Sequence, residues 1–288
     1  MSAFLSLTQM VKTQKSKLIQ SFTFTTLDAS DLNHYTAVID MGFFWRLCIP
    51  TSEDREKGDE TNFTWYDYAQ KMFSCILHRH SNASSVVFVN DPYDVQDSIK
   101  AEEHANRSYV HGSKNVFIEP SDDLPNKSNM SKFFANKSNK IRLQNFLEKV
   151  FRNLSASYPG KDFIYSVQRN CRNLRNGEDL PSYKCSHQEA DTIIFFIIHT
   201  LRRLGNNNTV VIDSEDTDVV VLSSLVSHRE NGVLGMRRKK ATFDCTKFCS
   251  QELSSIIVKL HVLTGSDCTS GFFGRGKKAV VKTVLKNM

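Results

Sequence analysis

The stretch that most constrains the fold is Thr209-Val210-Val211-Ile212, then Ser214-Glu215-Asp216-Thr217-Asp218, then Val219-Val220-Val221-Leu222. A short β-branched run closed by an acidic cluster reads as a buried strand that delivers carboxylates to its C-terminal end. Carboxylates gathered in one place repel one another. A divalent cation that takes hard oxygen ligands relieves that repulsion. Taken alone, such a cluster is more often a solvated acidic turn. The pattern recurs, however. Ala37-Val38-Ile39-Asp40 and Val86-Val87-Phe88-Val89-Asn90-Asp91 also end apolar runs on an aspartate.

Glu189-Ala190-Asp191 opens the apolar run Thr192 to Ile198, whose continuation through Leu204 to Gly205 predicts a buried helix stopped by glycine. Acids in a first turn also suit the positive end of the helix dipole with no further role. A further apolar segment, Leu253 to Leu263, leads into Thr264-Gly265-Ser266-Asp267. Five separated acidic sites on a strand and helix pattern point to one edge of a sheet, because open α/β sheets collect ligands at the carboxyl ends of their strands.

The coarse reading is one α/β domain with a central, mainly parallel sheet flanked by helices. Helices are expected at Trp65 to His80, Ser98 to Val110 and Lys140 to Leu154. Strands are expected at Val116 to Ile118 and Asp162 to Val167. Residues 119–137, rich in Pro, Ser, Asn and Lys, read as a loop or insertion. The polar stretch 168–187 reads as a connection, and Val233 to Phe243 as a β-hairpin with the basic tip Arg237-Arg238-Lys239-Lys240.

In their order, Asp40, Asp91, Glu189-x-Asp191, Asp216-x-Asp218 and Gly265-Ser266-Asp267 resemble the acidic constellation of the PIN-like nuclease superfamily, most closely its flap-endonuclease branch. Gly271 to Val280 is similar to the glycine-rich turn and helix that follow Gly-Ser-Asp there. Ser98-Ile99-Lys100, Asn139-Lys140 with Phe146-Leu147, and Phe272-Phe273-Gly274 resemble animal proteins of the same superfamily. The likeness runs from about Val38 to about Leu285. Asp191 is one methylene shorter than the glutamate of the resembled motif, and Asp94 and Asp97 compete with Asp91 for its place.

The resemblance implies a three-layer PIN-like domain over 35–288, behind an N-terminal extension over 1–34. The C-terminal DNA-gripping motif would be incomplete, since Met288 follows its first helix. It implies a nuclease that hydrolyses phosphodiester bonds with two Mg²⁺ or Mn²⁺ ions. Asp40, Asp91, Glu189, Asp191, Asp216, Asp218 and Asp267 would serve as metal ligands and catalytic residues. Nucleic acid, with DNA ahead of RNA, would be gripped by Lys100, Arg107, Gly274, Arg275, Gly276, Lys277 and Lys278. Lys100 and Arg107 share a helix face, which ion pairs to Glu102 and Glu103 would explain equally well. A PIN-like module that binds nucleic acid or protein without cutting is the alternative function.

Composition agrees with these expectations. The 288 residues carry a formal charge of +6, compatible with a polyanionic partner. Seven cysteines without paired spacing suggest a reducing, intracellular setting, nucleus or cytoplasm. Cys185-x-His187 and Cys245-x-x-x-Cys249 lack the second half of a zinc site. No apolar run approaches the ~20 residues of a membrane span.

Overall fold

The computed structural model describes residues 19, 22–51, 63–93, 114–263, 280 and 283–284. It is α/β, with mainly parallel strands and helices packed against them. Two compact units are present. Leu32–Thr200 forms one; described residues up to Asp31 and from Leu201 onward form the other.

In the Leu32–Thr200 unit the elements are β1 (Tyr35–Asp40), α1 (Met41–Leu47), α2 (Trp65–Arg79), β2 (Ala83–Val89), α3 (Lys127–Ala135), α4 (Lys137–Ser155), β3 (Asp162–Val167) and β4 (Asn170–Asn173). The start of α5 (Ala190–Arg203) follows. β1 and β2 pair in parallel with Asp40 opposite Val89, and β2 pairs in parallel with β3. All six residues of β1 are buried. A strand covered on both faces should be continuously apolar, which is why the apolar runs were so plain in the sequence.

Aromatic packing holds the helices to this sheet. Phe73 of α2 and Phe151 of α4 lie 5.1 Å apart between ring centroids, and Phe88 of β2 stacks on Phe163 of β3 at 6.3 Å. α2 begins at a reciprocal cap: Thr64 Oγ1 accepts from the Asp67 N–H, and Asp67 accepts from the Thr64 N–H.

Three expectations are corrected here. Residues 116–118 form no strand, and side chains of α4 take up both backbone groups of Val116. Val116 N–H donates to Asn139 Oδ1 at 2.8 Å, and Arg142 donates to the Val116 carbonyl at 3.1 Å. Residues 119–137 are not all loop: Asn126 caps α3, and Met130 and Phe133 bury its inner face. Two apolar side chains on one turn were too few to show a period among so many polar residues. The polar connection 168–187 contains β4, an antiparallel edge strand on β3. Its chain reverses at Gln168, whose φ is 54°. An edge strand with little apolar content carries no alternation to read.

The second unit holds β5 (Thr209–Asp213), α6 (Thr217–Val226), β6 (Leu234–Arg238), β7 (Ala241–Asp244) and α7 (Gln251–Leu263). β5 and β6 are parallel, and β6 and β7 form the expected hairpin. α5 ends as anticipated at Gly205. The Asn206 N–H reaches the Leu201 carbonyl and the Gly205 N–H reaches Arg202, with Gly205 at φ 84°. Residues 22–27 lie along β7: Asp244 N–H donates to Thr25 O and Leu27 N–H to Thr242 O, both at 2.9 Å. Among the described residues no helix is long and apolar enough to cross a membrane.

Candidate metal centre

In the Leu32–Thr200 unit the carboxylates come from neighbouring strand ends. Asp40 is the last residue of β1 and is 8% exposed. The next turn leaves it room, because a Cβ on Gly42 would come within 3.3 Å of Asp40 Oδ1. Asp91 lies two residues beyond Val89, the partner of Asp40 in the β1–β2 register. Asn90 anchors this strand end: its N–H donates to Ser166 Oγ and its Nδ2 to the Ser166 carbonyl.

Asp91 Oδ1 accepts the Ala190 N–H at 2.7 Å. Ala190 opens α5 between Glu189 and Asp191, so one carboxylate of β2 is tied to the helix turn that carries two more. The free N–H groups of a helix start favour an anionic partner here. Sequence reasoning missed Tyr93. Its hydroxyl donates to Asp91 Oδ2 at 3.2 Å, and the Lys140 ammonium lies 4.6 Å from the centre of its ring. Burial first, and then the Asp91 charge, push the Tyr93 phenol well above its ordinary pKa; Asp40 adds to the rise and Arg46 opposes it. Both carboxylates are therefore close enough to be felt by one phenol. A tyrosine two residues past an aspartate is the only signal the sequence offered.

In the second unit, β5 ends on Asp213, which is fully buried. Ser214 Oγ accepts the Asp216 N–H at 3.1 Å, and Asp216 Oδ1 caps α6 by accepting the Asp218 N–H at 2.7 Å. Carboxylate oxygens of Asp216 and Asp218 lie within 4.8 Å of each other. His261 Nε2 of α7 is 3.0 Å from Asp218 Oδ1. Nothing in the local sequence pairs these two, because they lie on separate helices. Glu215 turns elsewhere: Oε1 accepts the Lys239 N–H at 2.5 Å, and Oε2 is 3.4 Å from Arg238.

Hard carboxylate oxygens of this kind suit a hard divalent cation and not a thiophilic ion. Among the described residues, neither Cys185 with His187 nor Cys245 with Cys249 joins a group able to hold a metal. Burial also pushes the Cys245 thiol well up, away from the thiolate a metal would need. Asp267, Lys100, Arg107, Gly274, Arg275, Gly276, Lys277 and Lys278 lie outside the described residues. So do Asp94 and Asp97.

No protein-family model matches the chain, and no curated protein is similar to it.

Proposed function

We propose that this protein is a divalent-metal-dependent nuclease of the PIN-like, flap-endonuclease-like type, with DNA ahead of RNA as its polymer. The observation that carries the reading is the hydrogen bond from Ala190 N–H to Asp91 Oδ1. It draws the Glu189-x-Asp191 turn to a strand end neighbouring that of Asp40, which is the use that the resembled family makes of these acids. Within the second unit Asp216 and Asp218 bring carboxylate oxygens within 4.8 Å of each other, and Asp191 is assigned as a further ligand. In this reading Asp40, Asp91 and Glu189 complete the ligand set for two ions, directly or through water.

Bound Mg²⁺ or Mn²⁺ would supply a lowered water pKa and charge stabilisation on the phosphoryl oxygens. The chain's own groups do the positioning. Tyr93 and the Ala190 N–H hold both oxygens of Asp91, so that carboxylate has one orientation. Asp216 sets the first turn of α6, and His261 fixes the Asp218 carboxylate from behind, the role that outer partners play around metal ligands.

The test is a cleavage assay on single-stranded, flapped and duplex substrates with Mg²⁺ or Mn²⁺, beside thermal melts with and without metal. The nuclease should cut at least one substrate and melt at a higher temperature with metal. A wild-type chain that gains no stability from metal and cuts none of them sinks the proposal.

A further inference from the structure

We propose that the β6–β7 hairpin and the segment 22–27 beside it form a binding cleft for one unstacked nucleotide of a single-stranded nucleic acid. The proposal rests on the nuclease reading for its biological sense, but its geometry lies entirely within the second unit. A cleft of about 410 Å³ is lined by Phe24, Phe243, Glu215, Arg238, Lys239 and Lys240. That volume falls within the ~300–1,000 Å³ usual for ligand sites.

Its aromatic and basic groups adjoin, with the Arg238 guanidinium 5.7 Å from the centre of the Phe24 ring. Phe24 and Phe243 form the aromatic part, with ring centroids 5.3 Å apart and planes at 71°. Both rings are half-buried, so each keeps an accessible portion. Phe24 is held there by the pairing of residues 22–27 with β7 and by contact with Phe248 at 5.0 Å. The basic part sets three cations against one carboxylate. Glu215 is engaged with Arg238 and with the Lys239 N–H, while the Lys239 and Lys240 side chains are exposed at the tip.

A stacking face beside clustered cations is the recognition chemistry of a single strand. Bases expose a π-face only when unstacked, and the phosphates track a basic groove. A duplex keeps its bases stacked and would leave the two phenylalanines without a use. An acidic peptide could satisfy the lysines but has nothing to lay on the rings. Glu215 leads directly into Asp216 and Asp218, so a strand seated on the hairpin is anchored by the same loop that carries two of the proposed metal ligands.

The hairpin tip contains a positive-φ residue, as tight hairpin turns do. Lys239 sits at φ 53°, a left-handed conformation in which glycine or asparagine is favoured.

The experiment measures fluorescence anisotropy of a labelled 12-mer, as oligodeoxythymidine and as oligouridine. It is run without metal so that binding is read apart from cleavage. Wild type should bind both or one of these probes. Lys239→Gly should keep or raise the melting temperature while weakening binding, and should lower the salt slope by about 0.7, the loss of one phosphate contact on a single strand. Phe24→Leu should weaken binding about tenfold with an unchanged salt slope, since it removes a stacking face and no charge. Lys240→Gln provides a surface variant with the same expected loss of slope as Lys239→Gly. No binding by wild type, wild-type affinity in all three variants, or equal displacement by a polyglutamate peptide together with an inert Phe24→Leu would each overturn the cleft. Metal-free binding with these effects but no cleavage in Mg²⁺ would leave the cleft standing and remove the nuclease reading.

Discussion

Asp91 Oδ1 and the Ala190 backbone N–H, 99 positions apart in the chain, meet at 2.7 Å. One carboxylate therefore follows a parallel strand by two residues and caps the start of a helix at once. The same oxygen pair receives the Tyr93 hydroxyl, so Asp91 is constrained from two sides.

Truncation of Asp91 should show this dual role. Asp91→Ala leaves the Ala190 N–H and the Tyr93 hydroxyl without their acceptor, at a cost of about 1–3 kcal/mol for a buried unsatisfied group. Asp91→Asn keeps an acceptor and should cost less than half as much. Urea titration of both variants gives the comparison. Cleavage should fall steeply in both, since each removes a ligand charge; equal loss of stability in the two would show that the hydrogen bond contributes little.

Asp216 makes the complementary case. Asn caps a helix as well as Asp does, so Asp216→Asn should leave metal-free stability unchanged or slightly higher, as like-charge repulsion falls. Asp216→Ala should lose about 1 kcal/mol with the cap. Both should lose the thermal shift produced by Mg²⁺ and nearly all cleavage. A full metal-induced shift in Asp216→Asn would exclude Asp216 from the metal group.

Tyr93 gives a pH signature. Its phenol is pushed well above the ordinary value by burial and by Asp91, and burial pushes those of Tyr68 and Tyr165 up as well. In the unfolded chain such phenols ionise near pH ~10. Above that pH the unfolded state has released protons that the folded state retains, so folding stability falls as pH rises. Below it, the contribution is complete. Each such group adds about 1.4 kcal/mol of loss per pH unit in this window. Tyr93→Phe should make the decline between pH 10 and 11 shallower by about 1 kcal/mol, because the unfolded phenol is only half ionised at the start of that interval; denaturant titration at stepped pH measures it. An unchanged slope would mean that Tyr93 ionises freely in the folded protein.

Gly205 tests the helix stop. With φ at 84° and no atom within 4 Å of an added Cβ, alanine would meet only backbone strain. Gly205→Ala should therefore destabilise by about 1 kcal/mol through conformation alone. Gly205→Asn, which tolerates the left-handed region better, should recover part of that in the same melting experiment.

The aromatic core should be far less tolerant. Phe88 is fully buried against Phe73, Phe151, Phe163 and Tyr165. Phe88→Ala should cost about 3–5 kcal/mol, the sum of lost transfer energy and an unfilled cavity. A loss below about 1 kcal/mol by chemical denaturation would show that the surrounding rings collapse into the space.

What the sequence determined by itself is the part written in short-range chemistry. Apolar runs closed by aspartate located β1, β2 and β5, since buried strands must be continuously apolar. The 3.6-residue period located α2 and α4, and Gly205 marked the end of α5. The acidic cluster that holds Asp216 was legible because it directly follows the apolar run of β5. The tertiary structure alone decided what lies opposite what. Asp91 finding Ala190, Asp218 finding His261, and Tyr93 serving Asp91 are contacts between separate elements, and no local pattern encodes them. It also decided where weak local signals prevail. α3 forms in a Ser- and Asn-rich stretch because Met130 and Phe133 have a core to enter, and β4 forms because β3 offers an edge. Residues 116–118 stay out of the sheet, and Asn139 and Arg142 satisfy the backbone of Val116. The physical reason is one of range: propensity and capping are set within a turn or two of the chain, whereas burial and hydrogen-bond completion are settled only when distant segments compete for the same partners.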